Sequence, residues 1–161
     1  MDIHLIWAQD INGGIGKKGR LPWYISEDLK KFKETTLNST IIMGRKTWNS
    51  LKIKPLPKRR NIVLSTKSNL DVETYNSITE CINNLKKEKL KKVFVIGGSQ
   101  IYKEFYDFSS HLHITLVKKS VSNIDTFFPI ALSKIKINYK KIYELELKKN
   151  VLYTEWKRKN S

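Results

Sequence analysis

The alternation of short apolar runs with amphipathic stretches constrains the fold of this chain more than any other feature. Residues 2–9 (DIHLIWAQ) have an almost wholly apolar centre, which is typical of a buried strand in a mixed or parallel sheet. Further strands are predicted at 40–43, 61–66, 72–75, 91–96, 111–117, 140–147 and 151–157, and helices at 26–37, 78–87 and directly after 44–47 and 97–99. This order predicts an α/β fold, with a predominantly parallel mixed sheet flanked by helices on both faces and a C-terminal antiparallel hairpin.

Size and composition indicate one domain spanning residues 1–161. The chain has 40% apolar and 11% aromatic residues, which is enough to bury a core. No basic segment leads into an apolar one at the N-terminus, and no run approaches the roughly 18–20 apolar residues that a membrane span needs. We therefore expect a soluble, cytoplasmic monomer. Cys81 is the only cysteine, so we expect a small buried side chain there and no intramolecular disulfide.

The net charge of +16 has two interpretations. A basic domain attracts phosphates, so one alternative is a nucleic-acid-binding protein. The lysines are scattered over every segment, however, and the chain has no zinc-finger spacing and no aromatic RNP-like strand. Solvated surface lysines are the favoured interpretation, and nucleic acid is an unlikely partner. The positive field would still help to attract an anionic ligand.

The stretch Gly13–Lys33 joins a glycine-rich segment to a helix that carries acids in its first turn. Ser26 is expected to be the N-cap of this helix. Asp28 shares a helix face with Leu29 and Phe32, so it would look inward, into apolar surroundings. The alternative is an acid that only stabilises the helix dipole. Burial would raise the pKa of Asp28 and the helix N-terminus would lower it, and the sequence leaves the net direction open.

Three polar turns that follow strands are candidate phosphate sites. They are Gly44–Thr47, Ser65–Lys67 and Gly97–Ser99. For Gly44–Thr47, a plain strand-to-helix turn with exposed cations is an equal alternative. The proline-rich loop at 52–60 could present Arg59 or Arg60 to a carboxylate. His111 and His113 alternate on one strand, and because two ligands without a third make a weak metal site, no metal is expected.

Seven stretches in register resemble dihydrofolate reductases over nearly the whole chain. They are IGKKGRLPW, the following helix with Asp28 and Phe32, IIMGRKTWNSL, PLPKRRNIVLS, VIGGSQIY, HITLV and DTFFP. A related pyrimidine reductase of riboflavin synthesis shares the sheet and the Gly-Gly turn, but LPW followed by the Asp28 helix argues against it.

The resemblance implies reduction of dihydrofolate to tetrahydrofolate with NADPH, by hydride transfer to C6 of the pterin and protonation of N5. It implies a catalytic set of Asp28, Leu21 and Trp23. The implied substrate-binding residues are Ile6, Trp7, Ala8, Asp28, Leu29, Phe32, Leu51, Arg59, Ile96, Tyr102 and Thr115. The implied cofactor-binding residues are Ala8, Ile15, Gly16, Gly44, Arg45, Lys46, Thr47, Leu64, Ser65, Thr66, Lys67, Ile96, Gly97, Gly98, Ser99, Gln100, Ile101, Tyr102 and Thr126.

Within these sets the resemblance assigns particular roles. Thr115 matches the threonine that supports the acid, and Arg59 matches the arginine that holds the glutamate α-carboxylate. Arg45 and Thr66, with Lys67, are the candidates for the 2′-phosphate that distinguishes NADPH from NADH. Trp7 departs from the family, since many members have a small residue there.

Overall fold

The computed structural model describes residues 1–67 and 71–160. Its strands are β1 (Asp2–Gln9), β2 (Gly14–Gly16), β3 (Thr40–Gly44), β4 (Arg60–Leu64), β5 (Glu73–Tyr75), β6 (Lys92–Val95), β7 (His111–Val117), β8 (Thr126–Phe127), β9 (Tyr139–Lys148) and β10 (Val151–Arg158). Its α-helices are α1 (Ser26–Thr36), α2 (Arg45–Ser50), α3 (Ile78–Lys87), α4 (Ser99–Phe105) and α5 (Leu132–Asn138), and a 3-10 turn covers Tyr106–Phe108.

Eight strands form one sheet in the order β5-β4-β3-β6-β1-β7-β10-β9. The first six run parallel to one another, and β10 pairs antiparallel with both β7 and β9. The predicted α/β fold, with its mostly parallel sheet and terminal hairpin, is confirmed. Because β3, β4 and β6 are parallel neighbours, their carboxyl ends open at one edge, where such sheets bind ligands.

Side chains of successive residues enter two different apolar layers, one on each face of the sheet. Ile3, Leu5 and Trp7 of β1 belong to a layer that α3, α4 and α5 complete with residues such as Leu85, Phe105 and Ile135. Ile6 belongs to the other layer, which includes Ile41, Met43 and Trp48 of α2, with Phe32 of α1 packed against it. The expected placement of helices on both faces therefore agrees with the packing, and α1 lies on the face of Ile6.

Three short elements were not predicted, and one predicted cap is wrong. The strands β2 and β8 pair only with each other, across more than a hundred residues, and α5 lies where no helix was expected. Ser26 is the first helical residue of α1, not its N-cap; Ile25 holds the N-cap position. The Ser26 hydroxyl donates to the Glu27 carboxylate at 2.9 Å, so it does not cap a backbone N–H.

Cys81 is fully buried on α3, as expected, and burial raises the pKa of its thiol to about 12. The thiol is therefore protonated and unreactive at neutral pH. None of the helices in the described ranges has both the length and the apolar content that crossing a membrane requires.

Candidate active site

Asp28 of α1 faces the sheet and meets Thr115 of β7. The Thr115 hydroxyl donates a hydrogen bond of 2.7 Å to the Asp28 carboxylate. Burial raises the pKa of Asp28 above its ordinary value, and the hydrogen bond from Thr115 opposes this shift without reversing it. The inward orientation predicted from the helix pattern is confirmed, and the net direction of the pKa shift is upward.

Apolar side chains surround this carboxylate on the same face of the sheet. Ala8 is the β1 neighbour of Thr115 in the strand register, and both Ala8 and Ile6 are buried. Phe32, Leu51 and Ile96 pack against the same apolar layer as Ile6. Leu29 is 39% exposed, at the open side of α1. Ile6, Phe32, Leu51 and Ile96 therefore share one apolar layer, which lies on the same face of the sheet as Ala8 and Thr115.

The Trp7 side chain lies on the opposite face of the sheet from Ile6. It stacks on Phe128, with ring centroids 3.6 Å apart and planes 8° from parallel. Its indole N–H donates to the Gln9 side chain at 2.9 Å. Only the backbone of residue 7 remains to face the Asp28 side, so the large side chain fills the core behind the pocket.

The two arginines of the proline-rich loop have different partners. Arg60 forms ion pairs with Glu73 and Glu88 at the surface, which hold its guanidinium in a structural role. Arg59 lies over the Phe32 ring at 5.9 Å and donates to the Thr36 hydroxyl at 3.2 Å. Within the described ranges, Arg59 forms no ion pair with a carboxylate. Of the two alternatives that the sequence left open, the geometry favours Arg59 for an external carboxylate.

The glycine turns that follow β3 and β6 touch each other. The backbone N–H of Gly44 donates to the carbonyl of Gly97 at 2.9 Å, and the Gly97–Gly98 peptide bond is cis. A Cβ on Gly44 would lie 2.9 Å from Ile101, and one on Gly98 would lie 3.7 Å from the Thr47 hydroxyl. A side chain at position 44 would therefore force the Ile101 side chain of α4 to shift.

Tyr102 connects the two halves of this region. Its hydroxyl, which is buried, donates to the Ile6 carbonyl at 2.7 Å. Burial also raises the pKa of Tyr102, so the phenol stays protonated and keeps this bond. The bond fixes α4, which follows the turn after β6, against β1.

The polar turn after β4 lies beside the turn after β3, since Leu64 and Gly44 are register partners. Ser65 and Lys67 are linked by a hydrogen bond of 3.0 Å from the Lys67 N–H to the Ser65 hydroxyl. Arg45 and Lys46 begin α2 next to this turn, and neither forms an ion pair with a carboxylate of residues 1–67 or 71–160. The sequence-predicted phosphate residues are therefore brought together at three adjacent strand ends.

Comparisons with known proteins agree with this arrangement. The profile of the family described as dihydrofolate reductase matches residues 2–157. The dihydrofolate reductase of Buchnera aphidicola subsp. Acyrthosiphon pisum is 40% identical over 131 residues, 80% of each chain, and that of Buchnera aphidicola subsp. Baizongia pistaciae is 38% identical over 162 residues, 98% of this chain and 96% of the relative. The chain belongs to the dihydrofolate reductase family.

A solved dihydrofolate reductase, from Enterococcus faecalis and complexed with NADP(H) and RAB-propyl, superimposes with a TM-score of 0.83. The two sequences are 31% identical, and the match covers 99% of this chain and 97% of the other. This chain is thus an NADP-dependent oxidoreductase of the dihydrofolate reductase family. The stretches 44–47, 65–67 and 97–101 contain no acidic residue, and their cations and hydroxyls fit a phosphate-bearing cofactor such as NADPH.

The glycine-rich loop of this reductase is tied to the segment around β8. The Lys18 N–H donates to the Asp125 carboxylate at 2.7 Å, and the Asp125 N–H donates to the Gly16 carbonyl at 3.1 Å. Ser99 donates to the Phe127 carbonyl at 3.1 Å, so Gly16 and Thr126 lie on the same side as the start of α4. Ile15 also packs against the core there.

Sequence reasoning missed Asp10 and Asp125 as anchors of this loop. The buried carboxylate of Asp10 accepts hydrogen bonds from the backbone N–H groups of Asn12, Gly14 and Val121. The signal for Asp10 was its position in a turn directly after a buried strand. Asp125 begins the DTFFP stretch, and no local pattern in the sequence indicates its contact with Lys18.

The two predicted lid residues have different environments. The Leu21 side chain is 49% exposed. The indole nitrogen of Trp23 is buried and has no hydrogen-bond partner among residues 1–67 and 71–160. A buried donor of this kind calls for a partner from outside the chain, such as water or a ligand.

Proposed function

We propose that this chain reduces dihydrofolate to tetrahydrofolate, with hydride delivered to C6 of the pterin and a proton added at N5. The observation that carries this proposal is the buried Asp28–Thr115 pair, beside strand ends rich in cations and hydroxyls. NADPH, when bound, supplies the hydride. The protein must then align two flat rings, exclude water and manage one proton. The product would serve one-carbon metabolism, with residues 1–161 acting as one cytoplasmic, monomeric domain.

Asp28 is proposed to hold the pterin through its amino group and adjacent ring nitrogen. A carboxylate that accepts both N–H groups fixes the ring in one orientation. Its raised pKa makes protonation less costly than for an exposed aspartate, which suits a group that helps to deliver a proton to N5 through water. Thr115 holds the carboxylate in place by donating to one oxygen.

The remaining substrate contacts are proposed to be apolar. Ile6, Ala8, Phe32, Leu51 and Ile96 would enclose the ring, and the backbone of Trp7 would complete the strand edge. The exposed side of Leu29 would line the entrance. Arg59, lying near Phe32 without a carboxylate partner among the described residues, would take the α-carboxylate of the glutamate tail.

The cofactor is proposed to lie across the carboxyl ends of β4, β3 and β6. Arg45 and Thr66, with Lys67, would hold the 2′-phosphate, and Gly97–Ile101 with Lys46 and Thr47 would hold the pyrophosphate. Ile15, Gly16 and Thr126 would cover the nicotinamide end beside Ala8 and Tyr102. Leu64, Ser65 and Gln100 complete the proposed set.

The loop from Gly13 to Trp23 is proposed to close over the reacting rings. Closure would bring the exposed Leu21 side chain onto the pocket and exclude bulk water. The partnerless indole N–H of Trp23 would then hold one ordered water on the proton path to N5.

The test is a turnover assay that follows the loss of nicotinamide absorbance in the presence of dihydrofolate. The folded chain should turn over with NADPH far better than with NADH. Arg45→Ala combined with Thr66→Ala should narrow that preference by roughly tenfold or more, since a hydrogen bond to a charged group contributes about 1.5–3 kcal/mol. Lys140→Ala, an exposed cation on β9, is the matched control. Absence of turnover by well-folded protein would overturn the proposal. If the double variant keeps the wild-type preference for NADPH over NADH, Arg45 and Thr66 do not bind the 2′-phosphate.

A further inference from the structure

A cluster of side chains of the types that bind metal ions lies at the amino-terminal ends of β1 and β7, whereas Ala8 and Thr115 of the candidate active site lie towards the carboxyl ends of these strands. Asp2 and His4 are two residues apart on β1, so their side chains share one face, and His111 is the β7 register partner of His4. One ligand atom of each residue lies within 4.8 Å of the others. Asp2 is exposed and both histidines are half-buried, so the cluster is open to solvent.

Hydrogen bonds fix which ring nitrogens of these histidines face outward. His4 Nδ1 lies 2.8 Å from Nε2 of the buried His113, and His111 Nδ1 lies 2.8 Å from the Ser110 hydroxyl. On its other side, His113 Nδ1 lies 3.4 Å from the Glu155 carboxylate and 2.7 Å from the Tyr153 hydroxyl. Both Nδ1 atoms are therefore occupied, and Nε2 is the nitrogen that each ring can offer to a metal.

The tautomers follow from this chain of contacts. The Tyr153 hydroxyl is the nearest partner of His113 Nδ1, and its own hydrogen bond to the Glu155 carboxylate makes it an acceptor towards the ring, which favours the proton on His113 Nδ1 and leaves Nε2 as an acceptor. His4 must then donate through its Nδ1–H, and its Nε2 carries a lone pair. An imidazole whose second nitrogen is held by a hydrogen bond is the usual arrangement of a metal-ligating histidine.

We propose that Asp2, His4 and His111 form a surface site for one divalent transition-metal ion of the zinc, copper or nickel class. Two imidazoles and a carboxylate are the ligands that this class prefers, with solvent completing the coordination. Two donors on one tetrahedral zinc ion lie about 3.4 Å apart, so ligand atoms that now lie within 4.8 Å of one another must approach by up to about 1.4 Å. The rings of His4 and His111, now stacked with centroids 4.3 Å apart, would tilt to converge on the ion.

Neighbouring charges set the selectivity of this site. Lys92 is the register partner of Asp2, and Lys157 is the partner of His111, so two cations flank the ligands. Their repulsion disfavours ions such as Mg²⁺ and Ca²⁺, which bind mainly by charge and need more oxygen ligands. Only an ion with strong bonds to imidazole can offset the repulsion. The expectation of no metal from the sequence counted only His111 and His113, because the strand register that adds Asp2 and His4 was not known.

The experiment is a calorimetric titration of the untagged, full-length, metal-stripped chain with Zn²⁺. The wild type should bind one ion per chain and should not bind Mg²⁺. His111→Ala and Asp2→Asn should each weaken Zn²⁺ binding by at least about tenfold. Glu144→Gln, which removes an exposed carboxylate of β9, is the matched control and should bind as the wild type does.

A second measurement identifies the metal ligands directly and depends neither on enzyme activity nor on the stability of the variants. With Cu²⁺ as the probe, the electron paramagnetic resonance spectrum of the wild type should show coupling to two imidazole nitrogens, and that of His111→Ala to one. Thermal unfolding establishes that each variant is folded before titration. The proposed site would be wrong if the wild type bound no Zn²⁺, or if His111→Ala bound Zn²⁺ as tightly as the wild type does. Neither result would affect the reductase proposal, since the proposed metal ligands lie at the amino-terminal ends of β1 and β7 and not among the candidate active-site residues.

Discussion

At the scale of single residues, the ionisation of Asp28 is set by two opposing contributions. Burial against apolar side chains raises its pKa, and the hydroxyl of Thr115 stabilises the charged form and lowers it. The balance lies on the raised side. The charge that this carboxyl group carries at a given pH therefore depends on both contributions.

Thr115→Val should move the falling limb of the turnover–pH profile to higher pH. The substitution removes the hydrogen bond that stabilises the carboxylate, so the pKa of Asp28 rises further and the proton is retained to higher pH. Steady-state turnover measured across the pH range with saturating substrates checks this. Thr74→Val, at a half-buried threonine on β5, is the control. A limb that stays in place or moves to lower pH would contradict the assigned role of Thr115.

Asp28→Asn should raise the free energy of unfolding at neutral pH. A carboxyl group whose folded pKa is raised above its unfolded value stabilises the fold most at low pH, and that contribution is lost as pH rises through the folded pKa. The neutral amide avoids the cost of burying a charge, in keeping with the trade-off between stability and function at active sites. Chemical denaturation at several pH values is the measurement. Equal stability of variant and wild type at neutral pH would show that the carboxylate is well solvated.

At the scale of elements, the glycine-rich loop is held by contacts with a distant segment. Lys18 and Thr126 both donate to the Asp125 carboxylate, and these bonds lower the pKa of Asp125. Asp10 ties the base of the loop to Val121. The loop conformation therefore depends on the segment 119–127 as much as on its own sequence.

Asp125→Ala should free the loop and slow turnover several-fold. The Lys18 N–H would lose its acceptor, so the loop arrangement seen in this structure would be less populated. Trypsin should then cut faster at Lys17, Lys18 and Arg20 in the variant than in the wild type, and steady-state kinetics should show the lower kcat. Glu144→Gln is the control. Unchanged tryptic cleavage would mean that Asp125 does not restrain the loop.

The elements with strong periodicity could be predicted from the sequence, and the weakly patterned ones could not. The bounds of α3 and the strand at 2–9 match the structure, because caps and apolar runs mark them locally. β2 and β8 have three and two residues and exist only because they pair across the chain, which no local pattern encodes. In α5, Ile135 and Ile137 alternate with lysines, a pattern that does not favour a helix.

Some features of the candidate site could likewise be predicted from local sequence patterns, and others could not. The inward face of Asp28 followed from its spacing to Phe32, and the polar turns after strands followed from topology. The opposite orientation of the Trp7 side chain, the pairing of Arg60 with Glu73 and the role of Asp10 depend on contacts between distant segments. These could not be predicted without the register of the sheet.

At the scale of the whole molecule, the net charge of +16 gives the protein a positive field towards anionic ligands. The KM values for NADPH and dihydrofolate should therefore rise several-fold between about 0.05 M and about 0.5 M salt, while kcat changes little. Steady-state kinetics at several salt concentrations test this. The nucleic-acid alternative predicts salt-sensitive oligonucleotide binding instead, which the same salt series can measure. KM values that do not change with salt concentration would show that the surface lysines do not help to attract NADPH or dihydrofolate.

Single-turnover kinetics measure whether Asp28 holds the pterin and helps to deliver its proton. Wild type and Asp28→Asn are each loaded with NADPH, mixed with dihydrofolate near pH 7, and followed by nicotinamide absorbance. The variant should bind NADPH normally and lose at least about a hundredfold in the rate of reduction, as expected when a positioned acid is removed. If the variant reduces dihydrofolate at the wild-type rate, Asp28 is an acid that only stabilises the start of α1.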